Sequence, residues 1–322
     1  MSRTIVFLDP LSPERKARLE ALLPEGFVIA VAASRDQADQ LAAIAAADYA
    51  VSGDVPITDA MLRHGKRLKA IHKWGVGVDN FALPTARELG IPVMRTTGSN
   101  ALPVAESAVA SMLALLRGVV KGYTALTREG RWIKGELAAE NVTLSTKTVG
   151  LVGVGAIGSN VARLLKGFRC RLLYAMPRRL DPELEAELGL EKVELPALLR
   201  ESDVVTLHCP LAPETRGLIG TDELAAMKAS AILVNTARGG IVDEAALAEA
   251  LRTGVIRAAA VDVFAIEPVP ADNPLLGLDN VIVTPHCASL AADNFAPTVT
   301  RLFANLARIE HGEPVPAGDR VG

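Results

Sequence analysis

The chain has 322 residues, of which 50% are hydrophobic and 22% are charged, and its formal net charge is -3 at pH 7. This length exceeds the roughly 250 to 300 residues at which single cores tend to split, so two domains are expected. The small negative charge gives no field that would draw the whole chain to nucleic acid or an anionic membrane. A soluble protein that handles small molecules is expected.

The sequence shows no pattern typical of a signal peptide, a membrane span or a set of paired cysteines. The apolar run at residues 5–8 is too short for a signal peptide. The apolar stretch 101–120 is interrupted by Glu106 and Arg117, which argues against a membrane span. Three cysteines form an odd number without paired or metal-binding spacing. We therefore expect a cytoplasmic protein without a metal site.

The first hundred residues alternate short apolar runs with amphipathic ones. Strand periods are found at residues 5–8, 27–31, 49–51, 68–72 and 92–94, and helical periods at 13–23, 35–47, 59–64 and 84–89. Strands and helices that take turns predict a parallel sheet covered by helices, as in a flavodoxin-like domain.

A second alternating series follows a stretch, residues 103–129, that reads as one long helix. Its six predicted strands are residues 149–152, 171–174, 204–207, 231–234, 259–263 and 281–283. Six strands with crossover helices predict a Rossmann domain over residues 100–287. The last helical stretch, 291–311, has no strand left to pair with, so residues 288–322 are expected to join 1–99 in a discontinuous substrate-binding domain. The predicted fold class is α/β with two doubly wound parallel-sheet domains.

A glycine-rich turn joins the first strand of the second series to a helix. The turn is Gly153-Val154-Gly155-Ala156-Ile157-Gly158. In a dinucleotide fold the first glycine permits the tight turn, the second lets the backbone approach the pyrophosphate, and the third lets helix and strand pack closely. The N-terminus of the helix offers N–H groups to the phosphates. A strand before and a helix after make this a predicted nicotinamide-cofactor site.

The next strand lacks the acid that grips the ribose of NAD. After Tyr174 the chain reads Ala175-Met176-Pro177-Arg178-Arg179, with no carboxylate before Asp181. An arginine suits a 2′-phosphate, and loss of the acid removes the repulsion that excludes NADP. We expect NADP(H) to be preferred, with NAD(H) possible. The alternative is that both arginines are merely solvated.

Three charged residues follow later strands: Arg238, Glu267 and His286. The carboxyl ends of parallel strands meet at one edge, where the nicotinamide binds, so these side chains are expected to converge. Arg238 can hold an α-keto carboxylate and His286 can act as a general acid. Glu267 beside it would raise the pKa of the histidine. His64, His72 and His311 are interpreted as structural.

Ordered motifs over nearly the whole chain resemble the D-isomer-specific 2-hydroxyacid dehydrogenase family. They are Gly75-Val-Gly-Val-Asp79-Asn80, Asn100-Ala-Leu-Pro-Val104-Ala-Glu106, the glycine turn, His208-Cys-Pro-Leu, Asn235-Thr-Ala-Arg238-Gly-Gly, Asp262-Val-Phe-Ala-Ile-Glu267-Pro and Pro285-His286.

The resemblance implies roles for individual residues. It implies that Arg238, Glu267 and His286 are the catalytic set, that Val76 and Gly77 offer N–H groups to the substrate carboxylate, and that Asp262 meets the nicotinamide amide. It further implies that the cofactor cleft is lined by His208, Cys209, Pro210, Thr236 and Ala237. Formate dehydrogenases of this superfamily pair a Gln with the histidine, so Glu267 argues against that activity. Cys287 is interpreted as a small hydrophobe, and a redox role for it stays open.

The substrate is less closely defined. Lys73 precedes the Gly75 loop as a basic residue does in phosphoglycerate dehydrogenases, but Ser52 resembles the position of their second phosphate ligand, an Arg, and Trp74 is bulky. From a chain that ends at Gly322 we also expect no regulatory domain of the kind that many such enzymes append. We therefore expect a small 2-oxo acid such as glyoxylate or hydroxypyruvate, bound near Ser52, Lys73, Trp74, Val76 and Gly77.

Other readings remain open on these motifs. One is a phosphoglycerate dehydrogenase-like enzyme that uses NAD. A non-enzymatic one is a redox-sensing corepressor that resembles C-terminal-binding proteins, which retain the Arg, Glu and His; the missing ribose acid argues against it. A cofactor-retaining hydrolase of the adenosylhomocysteine type would need a larger substrate domain. The apolar helix at residues 101–120 predicts a homodimer surface.

Overall fold

The structure is a computed structural model that describes residues 2–321, and these form two compact units. One unit holds the chain up to Asn100 together with the segment from Ala291 onward, and the other is Ala101–Leu290.

The first unit is a parallel sheet with helices on its faces. Its elements are β1 (Arg3–Phe7), α1 (Pro13–Glu20), β2 (Phe27–Val31), α2 (Gln37–Ala45), β3 (Tyr49–Ser52), α3 (Asp59–His64), β4 (Ala70–Lys73), α4 (Leu83–Glu88), β5 (Val93–Met94), α13 (Phe295–His311) and β13 (Arg320–Val321). The sheet order is β13-β5-β4-β3-β1-β2, and only β13 runs antiparallel to its neighbour. The five parallel strands thus have the flavodoxin-like order.

The long helix α13 completes the core of this unit. Its side chains Val299, Leu302, Phe303 and Leu306 are buried against one face of the sheet, together with Ile5, Phe7 and Met94. These four positions recur at spacings of three and four residues, which places them on one helical face. The final stretch of helix therefore packs on the first unit.

The second unit is a larger parallel sheet. Its elements are α5 (Ala101–Leu116), α6 (Val119–Arg128), α7 (Lys134–Glu140), β6 (Thr148–Val152), α8 (Ala156–Leu165), β7 (Arg171–Ala175), α9 (Pro182–Leu188), β8 (Leu190–Lys192), α10 (Leu195–Glu201), β9 (Val204–Leu207), α11 (Thr221–Ala226), β10 (Ile232–Asn235), α12 (Glu244–Arg252), β11 (Ala258–Val261) and β12 (Val281–Val283). The order is β12-β11-β10-β9-β6-β7-β8, all parallel. This is the Rossmann order with an added strand, and the predicted fold class is confirmed.

The expectation of one long helix over residues 103–129 is wrong. Gly118 adopts a left-handed conformation with φ 57°, and α5 and α6 meet there at a bend of 63°. The apolar face of α5 is buried in the core of the second unit, where Ala105, Ala108 and Met112 contact strands of the sheet. Little of α5 is therefore left to form the predicted dimer surface.

Short elements also escaped prediction. The strands β8 and β13 are three and two residues long, and α7 has seven residues. Such short runs carry too few positions to show a period. Within residues 2–321 no single helix has the length and apolar character to cross a bilayer, and only the bent pair α5 and α6 meets both measures jointly.

Candidate active site

The glycine turn lies between β6 and α8, close to the chain that leaves β9. Gly153 has φ 91°, and a Cβ placed on it would lie 2.8 Å from the backbone N of Cys209. A Cβ on Gly158 would lie 2.5 Å from the carbonyl O of Gly153, whereas one on Gly155 would meet nothing within 4 Å. Two of the glycines thus allow backbone to pack on backbone. Gly155 instead faces open space where a ligand can approach.

The polar groups around this turn fit a dinucleotide. Nδ1 of His208 and Oγ1 of Thr236 are buried without a hydrogen-bond partner within the described chain. Nε2 of His208 lies 3.0 Å from Oγ1 of Thr206, and burial lowers the pKa of the imidazole to about 4, so the ring is neutral. The first N–H groups of α8, from Ala156 onward, have no partner inside the helix. Buried donors and acceptors rarely stay unpaired, so this edge is chemically suited to a bound cofactor.

The other residues predicted to line the cleft lie on the same carboxyl edge. Pro210 follows β9, and Ala237 follows β10, where its N–H donates to Oδ1 of Asn235 over 3.1 Å. Ile157 is in the first turn of α8 and packs against the core.

Glu267 and His286 form a hydrogen-bonded pair. Nδ1 of His286 lies 2.6 Å from Oε2 of Glu267, while Oε1 of Glu267 accepts the N–H of Phe264 over 2.9 Å. This bond raises the pKa of His286 and outweighs its partial burial. Burial opposes ionisation of Glu267, but its bonds to His286 and Phe264 lower its pKa overall. The pair is therefore a carboxylate and a readily protonated imidazole.

Arg238 stands near both members of the pair. Its positive charge favours the ionised form of Glu267 and opposes protonation of His286. Gly239, the next residue, brings the chain after β10 against the chain after β11, because a Cβ there would lie 1.9 Å from the carbonyl O of Phe264. The structure thus brings together the three residues predicted to be catalytic. The absence of a side chain at Gly239 makes this approach possible.

Asp262 holds the turn that carries His286. The carboxylate, 3% exposed, accepts hydrogen bonds from Oγ1 of Thr284 over 2.5 Å and from the N–H groups of Cys287 and Ala288 over 2.9 and 3.0 Å. The carbonyl of Asp262 accepts the N–H of His286 over 2.8 Å, and His286 has φ 51°. The aspartate therefore stabilises a left-handed histidine, a conformation that non-glycine residues seldom adopt. No pattern in the sequence indicates that Asp262 stabilises this turn.

A cavity of about 210 Å³ adjoins the same turn. Thr236, Asp262, Thr284 and Cys287 line it, with Ser107 and Ser111 from α5. Burial and the nearby Asp262 carboxylate raise the pKa of the Cys287 thiol, which disfavours its reactive thiolate.

The segment after β7 separates the two arginines predicted to bind phosphate. Arg179 forms an ion pair with Glu185, with Nη2 and Oε2 2.9 Å apart, whereas Arg178 is exposed and has no hydrogen bond or ion pair within residues 2–321. Met176, at the expected position of the acid, is half-buried and packs against the core. Sequence reasoning missed Glu185, since nothing in its spacing signals a contact with Arg179.

The side chains predicted to bind substrate in the first unit are already engaged. Ser52 is fully buried and its hydroxyl donates to the carbonyl of Val55, so it does not present a ligand group. Nζ of Lys73 donates to the carbonyl of Gly53 and, over 3.0 Å, to Oδ1 of Asn80. Both residues therefore order the loops at the end of their strands.

Trp74 is surrounded by other rings and a cation. Its ring packs edge-on to Phe7 at 5.4 Å and lies under the guanidinium of Arg15 at 4.6 Å. The N–H groups of Val76 and Gly77 have no hydrogen-bond partner within the described residues, so both remain available as donors. No group of three or more His, Cys, Asp or Glu within residues 2–321 could hold a metal ion.

Family models match both units. The NAD-binding domain of D-isomer-specific 2-hydroxyacid dehydrogenases matches residues 109–288, and the catalytic domain of the same family matches residues 5–160. The chain belongs to the D-isomer-specific 2-hydroxyacid dehydrogenase family. It is an oxidoreductase that acts on a CH–OH donor with a nicotinamide cofactor.

Relatives of this dehydrogenase include a glyoxylate reductase of Korarchaeum cryptofilum, 40% identical over 81% of the chain and 79% of the relative. A D-3-phosphoglycerate dehydrogenase of Methanocaldococcus jannaschii is 37% identical over 96% of the chain but only 58% of the relative. The structure of an NAD-dependent formate dehydrogenase from Staphylococcus aureus in complex with NAD has a TM-score of 0.87, 30% identity and 99% coverage of both chains. The earlier identification of the family is confirmed.

Proposed function

We propose that this dehydrogenase reduces a small 2-oxo acid, glyoxylate or hydroxypyruvate, with NADPH. The observation that carries the proposal is the hydrogen bond between Glu267 and His286, 2.6 Å long, within the influence of the Arg238 charge. A carboxylate, an imidazole and a guanidinium in one place provide a proton donor and an anion ligand. Reduction of a 2-oxo acid requires both.

Arg238 binds and polarises the substrate. Its guanidinium can donate two hydrogen bonds to a carboxylate, which fixes the orientation of the neighbouring carbonyl. Its positive charge then stabilises the negative charge that develops on the carbonyl oxygen.

His286 supplies the proton. Because Glu267 accepts the Nδ1–H, the opposite ring nitrogen, Nε2, carries the proton that is transferred to the developing alkoxide. The bound nicotinamide supplies the hydride. In the reverse direction, neutral His286 removes the hydroxyl proton from a D-2-hydroxy acid.

The cofactor part of the proposal rests on the second unit. The residues that the sequence predicts to bind the cofactor are Gly153, Gly155, Ala156, Ile157, Gly158, Arg178, Arg179, His208, Cys209, Pro210, Thr236, Ala237 and Asp262. The open space at Gly155 and the unpaired atoms of His208 and Thr236 support dinucleotide binding. Met176 in place of an acid, followed two residues later by the exposed Arg178, supports NADP(H) over NAD(H).

The substrate part rests on the first unit, which we infer to be the substrate-binding domain. The unpaired N–H groups of Val76 and Gly77 suit a small anion. Lys73 is bound to Gly53 and Asn80, which leaves it poorly placed to add a phosphate ligand. The glyoxylate reductase named above matches the chain over most of both lengths. These observations support an unphosphorylated substrate.

Steady-state kinetics test the proposal. Initial rates are to be measured with NADPH and NADH on glyoxylate, hydroxypyruvate, pyruvate and phosphohydroxypyruvate. The highest kcat/KM is expected for NADPH with glyoxylate or hydroxypyruvate. A higher value for NADH disproves the cofactor part, and a higher value for phosphohydroxypyruvate disproves the substrate part.

We further propose that the protein forms a homodimer and is located in the cytoplasm. Apolar side chains on and near α6 are exposed, including Tyr123 at 59%, Leu126 at 53% and Trp132 at 79%, and an exposed apolar cluster favours association. Sedimentation of the wild type and of Leu126→Glu tests this: a dimer that the variant weakens is expected, and a monomeric wild type contradicts it. The cytoplasmic location rests on the free thiols of Cys170, Cys209 and Cys287.

A further inference from the structure

The two arginines after β7 are in different electrostatic situations. Nε and Nη2 of Arg179 face Glu185, with Nε to Oε1 at 3.0 Å and Nη2 to Oε2 at 2.9 Å. This is a two-point pair along one edge of the guanidinium. Glu185 is 8% exposed, so its charge is directed at Arg179 rather than dispersed in solvent. One edge of the Arg179 guanidinium is therefore occupied by a carboxylate before any ligand binds.

Tyr174 ties this pair to the sheet. The side chain is fully buried in β7, its hydroxyl donates to Oε1 of Glu185, and the same hydroxyl oxygen accepts the N–H of Leu180 over 3.1 Å. Bonds from Arg179 and Tyr174 lower the pKa of Glu185, so the carboxylate stays ionised. Strand β7, the loop that follows it and helix α9 are thus joined through one carboxylate.

Arg178, unlike Arg179, forms no ion pair within residues 2–321. It is exposed, has no hydrogen bond or ion pair within residues 2–321, and stands two residues after Met176, where an NAD-binding fold places its acid. An unpaired guanidinium retains its full charge and all its donors for a phosphate. A paired one beside a carboxylate offers less charge and adds repulsion.

We propose that Arg178 alone binds the 2′-phosphate of NADP, and that Glu185, held by Tyr174, withdraws Arg179 from the cofactor. This rests on the proposed preference for NADP(H). Arg179 then orders the loop without contacting the ligand. The division of roles follows from the Glu185 contacts, since the sequence presents the two arginines as equivalent.

Equilibrium binding of nucleotide fragments tests the assignment without turnover. Calorimetry on the full chain compares 2′,5′-ADP, which carries the additional phosphate, with 5′-AMP. Arg178→Met is expected to weaken 2′,5′-ADP about 10- to 100-fold and 5′-AMP less than about 2-fold, because one charge-assisted phosphate contact is lost. Arg179→Met is expected to weaken 2′,5′-ADP by no more than about 3-fold, within the range of an exposed charge.

Two further variants complete the test: one removes the Arg179–Glu185 ion pair, and the other is a control. Arg179→Met/Glu185→Gln removes both partners and their charges, and the ratio of the two binding constants is expected to stay within about 3-fold of wild type. Arg200→Met is the matched control, since Arg200 is exposed in α10 near the opposite, amino-terminal edge of the sheet and should change neither constant.

The outcomes distinguish this inference from the proposed function. A wild type that binds 5′-AMP as tightly as 2′,5′-ADP overturns both. A wild-type preference for 2′,5′-ADP that Arg179→Met abolishes as fully as Arg178→Met, with Arg200→Met unchanged, overturns the assignment alone.

Discussion

His286 Nδ1 and Glu267 Oε2 lie 2.6 Å apart, on a turn where the backbone of His286 is left-handed with φ 51°. The contact raises the pKa of the imidazole above its ordinary value of 6.5, while burial and the charge of Arg238 oppose the rise. The proton donor thus remains charged to a higher pH than a free histidine.

The protonation state of His286 should set the pH dependence of both directions of the reaction. Reduction needs protonated His286, so kcat/KM for a 2-oxo acid should be level on the acid side of the raised pKa and fall about tenfold per pH unit above it. Oxidation of the D-2-hydroxy acid needs the neutral ring and should fall as pH drops below that pKa. Profiles recorded from pH 5 to 9 in both directions check this. Parallel profiles would show that His286 is not the transferring group.

Replacement of Glu267 tests the source of the shift. Glu267→Gln keeps a hydrogen-bond acceptor but removes the charge, so the break in the reduction profile should move to lower pH. We expect activity at pH 8 to fall about 10-fold while thermal unfolding changes little. Glu214→Gln, at an exposed residue outside the site, is the control. A break that stays in place contradicts the assigned role.

Arg238→Lys tests the substrate ligand. Lysine keeps the charge but lacks the fork that holds a carboxylate at two points. We expect kcat/KM for the 2-oxo acid to fall about 100-fold, with an unchanged dissociation constant for the cofactor. Arg252→Lys, on the exposed face of α12, should behave as wild type. An equal loss of cofactor binding would assign Arg238 to the cofactor instead.

Asp262→Asn tests the support of the histidine turn. The new amide cannot accept all three bonds from Thr284, Cys287 and Ala288, and one buried donor loses its partner. A loss of about 1–3 kcal/mol in the free energy of unfolding is expected, with a fall in kcat. Chemical denaturation and kinetics measure the two effects, and Asp279→Asn, at an exposed position, is the control. Full stability in Asp262→Asn would remove the basis for this role.

Gly239→Ala tests the close approach of two chain segments. The added Cβ would lie 1.9 Å from the carbonyl O of Phe264, so backbone must move. We expect destabilisation of about 1–3 kcal/mol and a strong loss of kcat, because Arg238 and Glu267 flank this contact. Gly167→Ala adds a Cβ that meets nothing within 4 Å and should be close to neutral. Thermal melts that coincide for the two variants would contradict the argument.

Much of the fold could be predicted because its strands are buried and its helices are amphipathic. Strands such as β9, with every residue buried, show as continuous apolar runs between turn residues. The bend at Gly118 could not be found, since the apolar period of α5 and α6 continues through it. The glycine is equally compatible with a straight helix of lower stability.

In the candidate active site, too, some features could be predicted from the sequence and others could not. Arg238, Glu267 and His286 could be predicted because each follows a strand of one parallel sheet, and the ends of those strands meet. The engagement of Ser52, Lys73 and Arg179 could not, because it depends on which loop atoms lie within 3 Å. Side chains that look available in a sequence are then found to stabilise their own loops.

The packing of α13 against β1 has a consequence for synthesis on the ribosome. Phe303 and Leu306 cover Ile5 and Phe7, yet the whole second unit is translated between these two stretches. At typical elongation rates this interval lasts roughly 10 to 40 s. Throughout it, one apolar face of the nascent first sheet lacks the side chains of α13, while the second unit, which is contiguous, can already fold. Chaperone engagement is therefore expected to fall on the N-terminal segment and to end when α13 emerges.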